Sequence, residues 1–297
     1  MTIAKKSSYH LLLVLLLAAF TLPSCTSQKI NTKSSVVEYL YPKSDDKYET
    51  PSIPHLKLPL RVGVAFVPES NKKSYAHNFW TGTSYSGSFS EAKKSQLLSD
   101  VAGHFKSLDF VDSIEVIPSA YLTSGGGFSN LSQIQTMYGI DVIALISYDQ
   151  MQFTDEGVLS LSYWTIVGAY VVSGEKNDTN TLMDTVVYDI SSRKMLFRAP
   201  GTSQVSGTAT PINLSEELRA DSIKGFEQAA ENMVLNLKVQ LDTFKASIKS
   251  NPEETKVSYR EGYVGGGGGG AVGFIGILAL FIGGACTFWK KAYNGLS

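Results

Sequence analysis

The residues able to do chemistry in this 297-residue chain are few and widely spaced. Its two cysteines are Cys25 and Cys286, so the stretch between them can supply no disulfide, no thiol nucleophile and no thiolate metal site. Of the four histidines, His10 lies in an amino-terminal apolar stretch, while His55, His77 and His104 show neither HxxxH nor HExxH spacing. They read as solvated or hydrogen-bonded rings rather than metal ligands. No serine stands in GxSxG, and no SxxK occurs with its partner motifs. Three weaker features remain. Ser124, Gly125, Gly126, Gly127 and Phe128 precede a predicted helix, where free amides could hold an anion or simply form a loop. Residues 175–180 carry oxygens suited to calcium without the register of a known calcium loop, or form a surface hairpin turn. Phe79, Trp80, Tyr85 and Phe89 either make a contact surface or pack over a sheet. Nucleophile, base and orienting group do not come together in the sequence, so the expectation is a protein that is not an enzyme, with no metal and no cofactor.

The two ends are of another kind. Residues 1–24 hold Lys5 and Lys6, a short apolar run and then Leu22, Pro23 and Ser24 before Cys25. A basic head, a short apolar core and small residues before a cut make a secretory signal, because the run is too short to span a bilayer comfortably. At the other end Gly265, Gly266, Gly267, Gly268, Gly269 and Gly270 precede 19 uncharged residues, 271–289, followed by Lys290 and Lys291. As a helix that run is about 28 Å long, close to the hydrocarbon core of a bilayer. Trp289 would sit at the interface, and the two lysines on the cytoplasmic side as a topology signal in the basic tail 290–297. Both ends then place the intervening chain across the inner membrane. Removing Lys5, Lys6, Lys290 and Lys291 from 26 basic residues leaves 22 against 27 acidic ones, so the exported part carries about −5. Nucleic-acid binding needs clustered Lys and Arg, and that class is excluded.

Leu22-Pro23-Ser24-Cys25 resembles the lipobox of bacterial lipoproteins. The resemblance implies cutting by signal peptidase II before Cys25, a diacylglycerol with palmitate-type acyl chains on its thiol, and, with Thr26 following, export to the outer membrane. The glycine run, apolar span and basic end resemble the GlyGly-CTERM sorting signal, which in its family is recognised by rhombosortase, a rhomboid-type intramembrane serine protease. Both features on one chain make it similar to the rhombotarget lipoproteins. The physics of the run agrees: each glycine costs about 1 kcal/mol of helix stability relative to alanine, so six cannot extend the helix and instead offer extended backbone. The rival reading is a flexible linker to a permanent anchor. The lipid membrane and the two processing systems are thus the implied partners, and no protein partner is legible.

Between the ends, 25–60 reads as a polar, proline-dotted tether, 61–250 as an exported domain and 251–270 as a linker. Within the domain, 61–67 is a strand buried on both faces, and Ser88 with Glu91 has capping-box spacing before the helical period Leu97, Val101, Phe105, Leu108. A strand at 114–117, a helix at 131–138 ended by Gly139 and a strand at 141–153 follow. The order β-α-β-α-β argues for a parallel sheet. Runs 158–173, 182–190 and 194–205, separated by turn-rich GEKNDTN and SSRK, read as antiparallel hairpins. A long helix at 215–249, with the stripe Ile223, Phe226, Ala230, Val234 and Leu237, closes the domain. The expected fold is therefore mixed α/β, three-layer-like, loosely similar to periplasmic domains of secretion lipoproteins such as the curli-secretion channel protein. The long alternating strands of 158–205, read as membrane hairpins, leave a secretion-pore subunit as the alternative to a binding or assembly module.

Overall fold

The structure is a computed structural model that describes residues 28–42, 50–69, 76–77, 84–85, 89–156, 175–210 and 212–263. In chain order these form β1 (Gln28–Lys33), α1 (Val36–Leu40), β2 (His55–Leu58), β3 (Leu60–Phe66), the two-residue strands β4 (Ala76–His77) and β5 (Ser84–Tyr85), and α2 (Glu91–Gly103). Next come β6 (Val111–Val116), α3 (Gly127–Tyr138), β7 (Val142–Glu156), β8 (Glu175–Asp189), β9 (Lys194–Ala209), α4 (Leu214–Ser250) and β10 (Lys256–Tyr259).

The main sheet is mixed, in the order β6-β3-β7-β8-β9, with β1 also on β7. β3 lies parallel between β6 and β7, as the β-α-β-α-β order predicts, and β7-β8-β9 is an antiparallel meander. β7 is the axis of the fold. Its first residues pair with β3, and 149–154 pair with β1, while β8 follows the whole of its other side.

Alternation along the strands gives the sheet two apolar faces, and helices cover both. On one face Val64, Phe66, Ala144, Ile146, Tyr148 and Met183 meet Leu98 and Val101 of α2 and Phe226, Ala229 and Met233 of α4. On the other, Ala65, Val67, Ile143, Leu145, Val186 and Tyr188 meet Tyr39 and Leu40 of α1 and Leu131 and Ile134 of α3. The molecule is therefore a mixed α/β, helix–sheet–helix arrangement with a long carboxyl-terminal helix.

Several boundaries differ from the sequence reading. Residues 28–40, assigned to the tether, form β1 and α1, and Ile30, Val36, Tyr39 and Leu40 are buried. β1 and the residue after it turn Ile30, Thr32 and Ser34 inward, so the buried face is mostly small polar groups and shows no apolar period. Residues 55–58 and 256–259, read as tether and linker, pair in parallel as β2 and β10. α2 is capped by Ser90, whose Oγ accepts from the Lys93 N–H at 3.3 Å, rather than by Ser88, which lies outside the described residues. On α4, Phe226, Ala230, Val234 and Leu237 are buried as expected, but Ile223 is exposed. The run 158–173 lies outside the described residues.

Candidate functional site

Cys25, the six glycines 265–270, Lys290 and Lys291 all lie outside the described residues. The first described residue after Cys25 is Gln28, three on, opposite Thr154 near the far end of β7. The last before Gly265 is Tyr263, two short of it, in the segment whose Arg260 bonds Asp141 at the start of β7. Thirteen residues of one strand, Val142 to Thr154, separate these poles by about 40 Å at a rise of about 3.3 Å per residue.

The pole at the start of β7 is built around one carboxylate. Asp141 Oδ2 accepts from the Arg61 backbone N–H at 3.0 Å and from Arg260 Nη2 at 2.6 Å, and Oδ1 accepts from Arg61 Nη2 at 3.1 Å. Burial alone would raise the Asp141 pKa, but hydrogen bonds from Arg61 and Arg260 outweigh it and hold the carboxyl below its ordinary value. Arg260 also donates through Nε to Pro59 O, and its N–H to Leu58 O. Tyr263 OH donates to Asp109 O at 3.0 Å, and its ring stacks on Tyr259. Upstream, β10 pairs with β2, the Lys256 N–H donates to Pro54 O, and His55 Nε2 lies 2.9 Å from Ser258 Oγ. The chain is fastened through Tyr263.

A second charged group stands at the carboxyl ends of the parallel strands, where open α/β sheets place ligand crevices. Lys94, in the first turns of α2, is buried. Its Nζ reaches Glu69 Oε1, just past β3, at 3.0 Å and Glu91 Oε1 at 2.9 Å. Tyr148 OH donates to the same Glu69 oxygen at 2.6 Å, and Ser119, just past β6, donates to Glu91. Burial and then the adjacent Glu69 push the Tyr148 hydroxyl far above its usual range, so it stays protonated. Burial opposes ionisation of Glu91, but Ser119 and Lys94 outweigh it and lower its pKa. The lysine is thus shared by two carboxylates, and the tyrosine donates to one of them.

The sequence candidates fall as follows. Phe89 is buried, stacked on Phe226 at 4.2 Å and set edge-on to Phe66 and Tyr148, so it belongs to the core. Phe79 and Trp80 lie outside the described residues, and Tyr85 is in β5. In the glycine triplet, Gly125 and Gly127 have φ of +67° and +61°, and the loop packs on Pro42 and on Leu40 O. Asn130 ties it down, accepting from the Thr123 N–H and the Tyr39 hydroxyl. These glycines seat α1 against α3. Residues 175–180 form strand rather than a turn: Asn177 is buried and donates to Asp221, and Asp178 accepts from Ser206. His55 is in β2, His77 in β4, and His104 caps the end of α2, three separate places. Among the described residues no three His, Cys, Asp or Glu side chains gather as a metal group, and no helix is long and apolar enough to cross a membrane.

Asp141, Arg260, Glu69 and Lys94 gave no sequence signal. Asp141 and Arg260 are 119 residues apart, and only the parallel pairing of β10 brings them together. No protein-family description matches this chain, and no curated protein matches it.

Proposed function

We propose that this chain is an exported bacterial lipoprotein, carrying diacylglycerol on Cys25 and a sorting signal in residues 265–291 that a rhomboid-type intramembrane protease processes. It passes from the inner membrane to the outer membrane or cell surface, where the folded part acts as a non-enzymatic binding or assembly module held by its lipid. The supporting observation is the extent of the fold. Described residues begin three after Cys25 and end two before Gly265, near opposite ends of β7, so none of the described pairings draws on either signal. An uncut apolar helix in one membrane and a lipid in the other would tie the chain to two bilayers; cutting in the glycine run removes that conflict. Intact mass of the protein from cells with and without the candidate protease is the test. The expected form begins at lipidated Cys25 and has lost Lys290 and Lys291 only when the protease is present; retention of both lysines in both strains refutes the reading.

A second reading, a subunit of an outer-membrane secretion pore, is favoured by one observation. β7 and β8 pair in unbroken register up to Glu156 opposite Glu175, and the chain between them, 157–174, carries no charge. That junction lies at the pole where β1 begins, three residues from Cys25. Detergent-resistant oligomers would support the pore, and a monomer in native mass measurement would refute it.

A further inference from the structure

We propose that one internal water molecule is bound between the main sheet and α4, donating to Gln152 Oε1 and Asn177 Oδ1 in place of a helix hydroxyl. The observation is a repeated unit that the protein completes once and leaves incomplete once. Gln150 and Gln152 both point from β7 toward α4 and are 1% and 2% exposed. Each gives its Nε2 to a threonine across on β8 and to a carbonyl of the helix. Gln150 donates to Thr181 Oγ1 at 2.8 Å and Ser222 O at 3.0 Å, and Gln152 to Thr179 Oγ1 at 3.1 Å and Leu218 O at 2.8 Å. Ser222 and Leu218 stand about one helical turn apart, so the two units are equivalent. In the first, Ser222 Oγ also donates to Gln150 Oε1 at 2.6 Å, which completes that amide. In the second, the residue in the place of Ser222 is Leu218, which has no hydroxyl, and Gln152 Oε1 meets no protein donor.

Asn177 supplies the second acceptor. It is 1% exposed and pairs with Thr154, so it is the diagonal neighbour of Gln152 on the same face of the β7 and β8 pair. Such neighbours are about 7–8 Å apart, a distance that two side chains and one water between them can close. Asn177 Nδ2 donates to Asp221 Oδ2 at 2.8 Å, while its Oδ1 meets no protein donor. Neither amide can turn over to relieve this. Turning Gln152 would set its oxygen against Leu218 O, and turning Asn177 would set its oxygen against the Asp221 carboxylate, each a pair of acceptors. The Asn177 and Asp221 pair is also closely packed: a Cβ on Gly207 would stand 2.7 Å from Asp221 Oδ2 and 3.1 Å from Asn177 Nδ2.

A buried acceptor left bare costs more than a completed hydrogen bond contributes. Water matches the site in number and sign. Its two protons serve the two oxygens, and its own oxygen can accept from the hydroxyl of Thr154, which is 5% exposed on the same face, giving about three bonds as internal waters have. A hard divalent cation would ask for about six or more oxygens, and this site offers two carbonyl oxygens and a hydroxyl. The bound water fastens the first turns of α4 to the far half of β7 and β8, as the Ser222 hydroxyl does one turn on.

The test is a crystal structure of the full chain in detergent, at a resolution that shows ordered water, for wild type, Gln152→Met and Leu218→Ser. Wild type should show one peak at about 2.8 Å from both Gln152 Oε1 and Asn177 Oδ1, and none on Gln150 Oε1. Gln152→Met, similar in length but without the amide, should lose the peak. Leu218→Ser should bring its Oγ onto Gln152 Oε1 and displace the water from that oxygen. Wild type alone decides if a variant does not fold. The proposal is overturned by a wild-type site without the peak, by amides turned so that both oxygens meet protein donors, or by a peak that Gln152→Met leaves unchanged. A peak ringed by about six oxygens at about 2.4 Å would be a metal ion and overturns it equally.

Discussion

Lys94 holds its ammonium between Glu69 and Glu91, with its side chain only 6% exposed. Removing one member of a buried ion pair leaves the others desolvated without compensation, the costly half of ion-pair energetics. Glu91 is largely exposed and can turn to water, which restricts the loss to Glu69 and the packing of the lysine stem. Lys94→Ala should therefore cost about 2 kcal/mol in urea unfolding, and Glu91→Gln well under half of that. Asp141 makes a pH prediction. Its folded pKa is depressed below the unfolded value of about 3.9, so its contribution is fully present above that value and is lost as pH falls through the depressed one. Asp141→Asn should be less stable than wild type by about 1 kcal/mol at neutral pH, the partial exposure of both arginines reducing the effect. The gap should stay constant down to about pH 5 and close below about pH 4. A gap that does not shrink as pH falls below about 4 would mean that the Asp141 charge is not what holds Arg61 and Arg260.

At the scale of elements, α4 lies so close to β9 that one position admits no side chain. A Cβ on Gly201 would stand 2.2 Å from Ala229 O and 2.3 Å from Met233 N, both helix backbone, so relief requires moving the helix. Gly201→Ala should cost about 3 kcal/mol, read by chemical denaturation. Gly103→Ala, at the last residue of α2 with nothing within 4 Å of the new methyl, should be neutral or slightly stabilising. This packing also explains what the sequence displayed and what it hid. β3 and α4 were legible because their apolar periods coincide with burial. The start of β8 was not: Asn177, Thr179 and Thr181 look like turn residues but are buried against α4. Thr179 and Thr181 accept from Gln152 and Gln150, which also donate to Leu218 O and Ser222 O on the helix. A polar sheet face bonded in part to a helix backbone, with Gln152 Oε1 and Asn177 Oδ1 left without a hydrogen-bond partner, has no hydrophobic signature. β2 and β10 were hidden for a different reason, since each is a four-residue strand defined by a partner about 200 residues away. The charged centres share that origin, because their members meet only once the sheet has formed.

For the whole molecule, the pairing of β7 with β8 sets what the antiparallel meander itself requires. Glu156 and Glu175 are already cross-strand partners, so the two strands need nothing beyond them to stay in register. Replacing 157–174 with a two-residue Asn-Gly turn, which suits the twist of an antiparallel pair, should leave the sheet and both helix layers intact. The two large apolar clusters that stabilise the domain, around Phe66 and Phe226 and around Leu131 and Leu145, are distinct from the small one nearer that tip, Ile30, Ala209, Leu214 and Leu218. The variant should thus unfold within about 1 kcal/mol of wild type in urea. The two functional readings then part. A binding or assembly module would keep whatever oligomeric state it has, whereas a pore subunit would lose detergent-resistant oligomers while keeping its fold. Native mass measurement of both proteins in detergent distinguishes them, and an unaltered oligomer in the shortened variant would exclude 157–174 as the assembling element.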